Sequence, residues 1–274
     1  MPERPPSKDR NASRRGGGSV RRDRPIRSRL RAAQQFCLQI LLAATALAVP
    51  GAGRADADGR PVALELVLTV DVSASVSDPE YRLQMRGIAE ALRDPDVAAS
   101  IAAYGDAGVA LTMVQWSRDA RQVIPWVLLT GAESAAAVAG RIERLPRIAL
   151  GVTTAIGTAI ALSRQLIADN AYAGQRRSID VSGDGMNNDG LPIWHERQRT
   201  MTDGITINGL AIVNGDSRLD AYYRDHVIGG LGAFMITADD FEDFQRAFRE
   251  KLLREIRSMV ADNEPRAGPA EGDS

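Results

Sequence analysis

The sequence predicts a single α/β domain, built on a doubly wound, mostly parallel sheet with helices on both faces. Short apolar runs that are typical of buried strands alternate along the chain with segments of helical periodicity. Several of these runs end in loops rich in Gly, Ser, Thr and Asp, and open parallel sheets hold their ligands at such loops. The length of 274 residues fits one domain of ordinary to large size.

The first strand is predicted at residues 64–70, an apolar run without Gly or Pro that indicates a buried parallel strand. Asp71, Ser73 and Ser75 follow this strand at two-residue spacing, so one carboxylate and two hydroxyls lie on the next loop. One carboxylate together with neutral oxygens suits a hard cation such as Mg²⁺ or Mn²⁺. The loop is therefore the first candidate metal site.

A helix is predicted directly after this loop, because Pro79 suits its first turn and Ser77 or Asp78 can accept from the free amides. Pro125 makes its strand an edge strand, since proline cannot donate to a ladder of hydrogen bonds. The remaining strands are predicted at residues 109–116, 123–129, 178–182, 205–213 and 233–236. The remaining helices are predicted at residues 132–145, 155–167, 193–202 and 221–228, with a closing helix from about residue 239.

The closing helix carries apolar residues at spacings of three and four, which share one face and are expected in the core. These residues are Phe241, Phe244, Phe248, Leu252 and Ile256. Trp116 and Trp126 fall on predicted strands and are also expected in the core. We expect the domain to span residues 62–257 and to be followed by a polar, disordered tail at residues 258–274.

Residues 1–55 are predicted to form a secretory signal peptide with a long basic region at its start. Residues 1–35 carry eleven Lys or Arg and three Asp or Glu, a net charge of +8. Fourteen mostly apolar, uncharged residues follow at 36–49, and the small residues around Ala55 suit cleavage. This run is short for a membrane span, which needs about 20 residues. Export to the periplasm or the cell exterior is therefore expected, with an uncleaved anchor or a buried helix as the alternative.

The chain that remains after cleavage is acidic and has no thiol. Residues 56–274 hold 22 Lys or Arg against 32 Asp or Glu, a net charge of −10. This charge argues against nucleic acid or an anionic membrane as a partner, and no membrane span is expected in the mature chain. Cys37 is the sole cysteine and lies in the signal, which excludes cysteine catalysis and zinc–thiolate sites from the mature chain.

Two later loops add oxygen ligands to the first. Residues 151–157 offer Thr153 and Thr154 and lead into a helix, while Asp184 lies between two glycines at the end of a strand. All three loops lie where strands end and helices begin, so they can meet at one edge of the sheet. Asp71 and Asp184 would repel each other without a cation, which couples metal binding to the order of the loops.

With these motifs the chain resembles a von Willebrand factor type A domain with a metal-ion-dependent adhesion site, over roughly residues 62–257. That family has Asp-x-Ser-x-Ser after its first strand, a threonine in the second loop and an aspartate after a central strand. The ligands that the resemblance implies are Asp71, Ser73, Ser75, Thr154 and Asp184, with Thr153 as the alternative threonine.

Two positions depart from the family pattern: Gly183 replaces a hydroxyl residue, and Val152 replaces a common glycine. Neither position is an expected ligand. Residues 222–230 and Phe234 resemble an exported bacterial subgroup of these domains.

The resemblance implies a non-enzymatic module whose cation completes its coordination shell with an Asp or Glu of a protein partner. Mg²⁺ is the expected cation, and Mn²⁺ and Ca²⁺ are the alternatives. The physical chemistry agrees, because hydroxyl ligands donate little charge and leave the cation electrophilic.

The competing hypothesis is a metal-assisted hydrolase that uses the same cation to polarise a phosphoryl or carbonyl group. The three loops contain no His or Glu that could act as a base, and no Gly-x-Ser-x-Gly motif accompanies the two histidines. We therefore expect His195 to be solvated, His226 to be structural, and the protein to bind rather than cleave. Asn187, Asn188 and Asp189 are expected to be turn residues of a Gly-flanked loop, with contact to a ligand as the alternative.

Overall fold

The computed structural model describes residues 59–257, which form a six-stranded sheet between two layers of helices. The strands are β1 Arg60–Asp71, β2 Val109–Trp116, β3 Ala120–Leu129, β4 Tyr172–Gly183, β5 Thr206–Ile212 and β6 Met235–Ala238. The α-helices are α1 Asp78–Arg93, α2 Pro95–Ala102, α3 Ala132–Ile142, α4 Ile156–Ala168, α5 Ile193–Thr202, α6 Arg218–Tyr222 and α7 Phe244–Arg257. A π-helical segment at Tyr223–Val227 continues α6. The predicted α/β fold is confirmed.

The sheet has the strand order β3-β2-β1-β4-β5-β6. All neighbouring strands run parallel except β2 and β3, so β3 is an antiparallel edge strand, as Pro125 predicted. The chain leaves β1 toward one edge and returns to β4 on its other side. The switch point of the topology therefore lies between β1 and β4, and ligands bind at the carboxyl ends of such strands.

Each face of the sheet carries its own core. Alternate residues of β1, such as Leu66 and Leu68, pack with α1, α3 and α7 on one face. Val67 of β1 packs on the other face with Ile160 of α4 and Tyr223 of the π-helical segment. This alternation explains why the central strands are apolar on both faces. Among residues 59–257, no helix is long and apolar enough to cross a membrane.

The first helix begins where the sequence indicated. Ser77 Oγ accepts from the backbone N–H of Glu80 at 3.4 Å, and the backbone N–H of Ser77 donates to Glu80 Oε2 at 2.7 Å. This reciprocal capping box stabilises a helix start by about 1 kcal/mol. It fixes the direction in which the chain leaves the loop that follows β1.

Several predicted elements need correction. The sequence analysis missed α2, although Asp94 caps it and Pro95 occupies its first position. Strand β4 begins six residues before the predicted position 178, because its polar first half pairs with β1 rather than entering the core. Helix α7 begins at Phe244 instead of near residue 239, since the side chains of Asp240 and Asp243 accept from backbone N–H groups and form a turn there.

The predicted core residues are buried with one exception. The five apolar residues of the closing segment all lie in the core, although Phe241 precedes the helix itself. Trp116 is fully buried, whereas Trp126 on the edge strand is half-buried and donates to the Leu166 carbonyl. The predicted signal peptide and tail lie outside the described residues.

Candidate metal centre

The switch point brings together the first and third of the predicted ligand loops. Asp71 is the last residue of β1, and Asp184 directly follows β4, the parallel neighbour of β1. Ser75 Oγ joins the two loops by donating to Asp184 Oδ1 at 2.7 Å. Residues from two strands that are far apart in sequence thus face one another at the carboxyl edge of the sheet.

The first loop folds around its own hydrogen bonds. The backbone N–H of Ser73 donates to Asp71 Oδ1 at 2.7 Å, and the hydroxyl oxygens of Ser73 and Ser75 lie 3.0 Å apart. Because Ser75 gives its only hydroxyl proton to Asp184, Ser73 is the donor in the serine pair. A continuous chain of hydrogen bonds therefore runs from Asp71 to Asp184.

Arg147 clamps this loop from outside. Its Nη2 donates to the carbonyls of Val72 and Ser73 at 3.0 and 2.8 Å, and its Nη1 donates to Asp78 at 3.0 Å. A cleft of about 550 Å³ lies beside the clamp, lined by Val72, Asp78, Tyr81, Arg82 and residues 145–149 and 151. The guanidinium thus ties down the backbone of this loop, although nothing in the sequence near Arg147 indicated such a role.

The second loop contributes Thr154. The backbone N–H of Thr154 donates to Asn188 Oδ1 at 2.8 Å, and the backbone N–H of Asn188 donates to the Thr154 carbonyl at 2.9 Å. A methyl group placed on Gly185 would lie 3.2 Å from Thr154 Oγ1, so this hydroxyl lies beside the third loop. Thr153 instead donates its hydroxyl proton to Asp189 at 2.8 Å. Thr154 is therefore the threonine whose hydroxyl adjoins the residue after Asp184.

Residues 187–189 are more than turn residues, because they attach the second loop to the third. Besides the contacts of Asn188 and Asp189, Asn187 Oδ1 accepts from the backbone N–H of Gly157 at 3.0 Å in the first turn of α4. The backbone N–H of Asn187 in turn donates to the Tyr222 hydroxyl at 3.1 Å. Polar side chains in a Gly-flanked loop were the only sequence signal for these contacts.

The two carboxylates lie in a setting that disfavours their charge. Burial raises the pKa of Asp71 to about 7, against the hydrogen bonds from Ser73, and the charge of Asp184 adds to the rise. Burial also raises the pKa of Asp184, while the hydrogen bond from Ser75 lowers it. A bound cation would supply the positive charge that this pair of carboxylates needs.

The residues present fit a hard divalent cation. Asp71 Oδ2 is buried and has no hydrogen-bond partner within residues 59–257, so one carboxylate oxygen remains free to coordinate. Two carboxylates and three hydroxyls form the oxygen-rich donor set that Mg²⁺ or Mn²⁺ prefers. Among the described residues, no group of three His, Cys, Asp or Glu side chains could hold a metal ion instead. The metal-binding role of the five residues stays a prediction.

Neither histidine joins these loops. His195 lies on α5 with its side chain 48 % exposed and its Nδ1 3.0 Å from Glu196 Oε1. His226 is exposed on the π-helical segment, with its ring centroid 5.0 Å from that of Tyr222. Both positions suit surface residues rather than a general base.

The chain belongs to the family described as "Protein of unknown function (DUF1194)", whose model matches residues 61–260. No curated protein matches the sequence. The matched range includes every predicted ligand and nearly the whole of the described fold.

Solved structures of von Willebrand factor type A domains share this fold. Proximal thread matrix protein 1 (PTMP1) from the mussel byssus, "with zinc occupied MIDAS motif", is 18% identical with a TM-score of 0.51, over 74% of this chain and 49% of that chain. The von Willebrand factor type A protein from Catenulispora acidiphila is 17% identical with a TM-score of 0.52, over 72% of this chain and 43% of that chain. The vWF domain of the type V pili tip protein Mfa5 from Porphyromonas gingivalis is 10% identical with a TM-score of 0.52, over 76% of this chain and 99% of that chain.

This chain spans about half the length of the PTMP1 chain that it matches. At identities of 10–18%, these neighbours establish a von Willebrand factor type A fold for residues 59–257. The fold class and the resemblance predicted from the sequence are thereby confirmed.

Proposed function

We propose that this member of the DUF1194 family is a metal-dependent, non-enzymatic protein-binding module. Asp71, Ser73, Ser75, Thr154 and Asp184 hold one divalent cation, directly or through water, and Mg²⁺ is the expected ion. A protein partner supplies an Asp or Glu as a further ligand. The observation that carries the proposal is the hydrogen-bonded chain from Asp71 to Asp184, with the Asp71 Oδ2 atom buried and unpartnered.

The donor chemistry supports capture of a carboxylate. Two carboxylates balance the charge of one divalent cation, and the neutral hydroxyls reduce its electrophilicity little. Asp184 and Ser75 are the more exposed members of the set, whereas Asp71 and Ser73 are fully buried. A partner therefore approaches from the side of Ser75 and Asp184, where a coordination position is open.

The structural neighbours support the same reading. PTMP1 is described with zinc in its MIDAS motif, which favours a divalent cation at the corresponding place here. Mfa5 is described as a pili tip protein. A metal ion in one neighbour and a pilus-tip location in the other both agree with a metal-dependent role in protein binding for this chain.

The proposal also covers how the chain is divided into an export signal and a binding domain. Residues 1–55 act as an export signal, and residues 62–257 form the binding domain. Cleavage between about residues 52 and 57 releases an acidic chain to the periplasm or the cell exterior. Mass spectrometry of the protein from its native host should find this new amino terminus. Recovery of the intact chain from the cytoplasm would contradict export.

The metal site is tested first by calorimetry with Mg²⁺ and Mn²⁺ on the purified chain. Asp71→Ala and Asp184→Ala each remove one of two carboxylates and should weaken binding at least about tenfold. Asp106→Ala removes an exposed carboxylate elsewhere and should leave the affinity unchanged. Folding should survive in all three variants, because these residues lie on or next to loops. Unchanged affinity in Asp71→Ala would refute the ligand assignment.

Binding is separated from hydrolysis by two assays on the same variants. A partner retained from periplasmic extract in Mg²⁺ should be lost in EDTA and in Asp71→Ala. A panel of phosphoesters and carboxylic esters should show no turnover with either metal. Robust turnover that disappears in Asp71→Ala would establish the hydrolase instead.

A further inference from the structure

A lysine and an aspartate are in contact in the core between the sheet and α7. Lys251 lies on α7 and Asp180 on β4, and their side chains are 0 % and 1 % exposed. Lys251 Nζ contacts Asp180 Oδ1. Apart from this contact, the amine and the two carboxylate oxygens have no hydrogen-bond partner within residues 59–257. An ammonium has three N–H donors, and burying it without partners for them is costly.

Lys251 is also an exception among the cationic residues of this chain. Of the 22 Lys or Arg in residues 56–274, 21 are Arg and Lys251 is the only Lys. Arginine keeps its proton in proteins, whereas a lysine amine that is shielded from water can act as a nucleophile. The only side-chain amine of this segment therefore lies in the core against a carboxyl group.

A second buried carboxyl group accompanies the pair. Glu255 lies one turn after Lys251 on the same face of α7, and its Oε2 accepts from the side-chain amide of Asn208, the β5 residue paired with Asp180. Burial raises the pKa of Glu255 to about 7, the charge of Asp180 adds to the rise, and the charges of Lys251 and Arg176 act against it. A carboxyl group that titrates near neutral pH can both accept and donate a proton, as general acid–base catalysis requires.

Aromatic and apolar side chains shield this cluster from water. The Phe234 ring is buried, and its centroid lies 5.8 Å from Lys251 Nζ and 4.2 Å from the Arg254 guanidinium. Phe248 and Leu252, which are close to Lys251 along α7, belong to the hydrophobic core on this face. A water-free site that holds an amine against a carboxyl group raises their effective concentration and disfavours hydrolysis of the product.

We propose that Lys251 and Asp180 condense to an amide bond that joins α7 covalently to β4, with Glu255 as the proton carrier. The ammonium first passes a proton to the carboxylate, which gives a neutral amine and a carboxylic acid. The amine attacks Asp180 Cγ, and Glu255 takes a proton from Nζ and delivers it to the leaving hydroxyl. One N–C bond forms, one C–O bond breaks, and one water molecule leaves, so no oxidant or cofactor is needed.

The product suits the site better than the ion pair does. An amide has no net charge and one N–H donor, whereas the ion pair has two charges and three donors in the same apolar surroundings. The bond would also fix β4, the strand that leads to Asp184. Because the reaction uses no metal, the bond should form equally in Mg²⁺ and in EDTA, independently of the proposed function.

Mass spectrometry of the purified wild-type chain tests the bond directly. After denaturation, the intact mass should lie below the mass of the sequence by one water molecule. Trypsin should leave residue 251 uncleaved and release residues 178–197 joined to residues 250–254, because the bond connects these two peptides. A wild-type chain with the full mass of its sequence would overturn the inference and leave Lys251 and Asp180 as an ion pair.

Three substitutions then assign the roles of the side chains. Lys251→Arg keeps the positive charge but should abolish the bond, since a guanidinium does not attack the carboxyl group. Glu255→Gln should slow bond formation by about 100-fold or more, so the freshly purified variant should keep the full mass of its sequence. Glu250→Gln makes the same change at an exposed position of α7 and should leave the bond complete.

Circular dichroism of each variant shows whether it is folded, and the wild-type mass decides the inference even if a variant is not. A bond that forms at the wild-type rate in folded Glu255→Gln would overturn the role of Glu255. Loss of one water molecule that persists in Lys251→Arg would overturn the assignment to Lys251.

Discussion

Asp71 is the residue whose surroundings couple the charge of the site to the stability of the fold. Its carboxyl is buried, and its pKa of about 7 lies well above the ordinary value of about 3.9. Between these two values the unfolded chain is ionised at Asp71 while the metal-free folded chain keeps its proton. Stability from this group is therefore complete at low pH and is lost as the pH rises through about 7.

We accordingly expect the metal-free chain to lose stability between about pH 4 and 7, and Mg²⁺ to restore more stability at pH 8 than at pH 5. The contribution from Asp71 is at most about 4 kcal/mol, at about 1.4 kcal/mol per pKa unit. Thermal unfolding in EDTA and in Mg²⁺ measures it, with Asp71→Asn expected to flatten the metal-free pH dependence.

Part of that pH dependence should survive in Asp71→Asn. Burial, together with the charge of Asp180, raises the pKa of Glu255 to about 7, so this group acts in the same direction away from the site. Asp106→Asn, an exposed control, should match the wild type at every pH. A wild-type slope retained in full by Asp71→Asn would contradict the assignment of the effect to Asp71.

At the scale of elements, helix α4 is attached to the third loop through Gly157. A methyl group on Gly157 would overlap the carbonyl oxygen of Leu191, which is backbone and cannot turn aside. We expect Gly157→Ala to destabilise the fold by about 1–3 kcal/mol and to weaken metal binding, because it separates the second and third loops. Denaturant unfolding and calorimetry measure the two effects.

Gly140 provides the matched control for that substitution. It also lies within a helix, and the nearest atoms to an added methyl group belong to the flexible Arg144 side chain at 3.6 Å. Gly140→Ala should stabilise the chain by about 0.5–1 kcal/mol, since alanine loses less backbone entropy in a helix. If Gly157→Ala proved as stable as the wild type, α4 would not be fixed to the loop as the contacts indicate.

The elements that could be predicted from sequence were those with a local signal. The central strands are continuous apolar runs, and Ser77 with Pro79 marked the start of α1 because a cap needs only neighbouring residues. The polar half of β4 had no such signal, since its place is set by pairing with β1 from Arg60 onward. Lys251 and Glu255 were missed for the same reason: they are fully buried on α7 and pair with Asp180 and Arg176 of β4.

At the scale of the whole molecule, the topology converts three separate sequence motifs into one site. Asp71 and Asp184 were predicted to meet because parallel strands end at the same edge, and the structure does place their loops in contact. Arg147 could not be predicted, because it reaches the site from a segment whose own sequence carries no pattern. Contacts of that kind depend on the complete packing of the domain rather than on any window of sequence.

Two exposed apolar side chains also lie beside the predicted metal loops. Val152 lies on the second loop and is 69 % exposed. Trp194 lies in the first turn of α5, just after the third loop, and is 70 % exposed. The Val152 carbonyl accepts from the backbone N–H of Ala74 at 3.2 Å, so this residue adjoins the first loop as well. Isolated exposed apolar residues need no explanation, but their position beside a candidate carboxylate-binding site favours a contact with the partner.

A comparison of three exposed apolar positions tests this contact. Leu231 is 97 % exposed, and its carbonyl accepts from Thr206 at the start of β5, so it lies at the opposite edge of the sheet. Val152→Ser and Trp194→Ala should each weaken metal-dependent partner binding about tenfold while leaving Mg²⁺ affinity unchanged, as truncation of a contact residue costs more than about 1 kcal/mol at an energetic centre. Leu231→Ser should change neither quantity. Equal partner affinity in all three variants would mean that the partner contacts the cation without using this apolar rim, and a loss in Leu231→Ser alone would place the binding surface at the other end of the sheet.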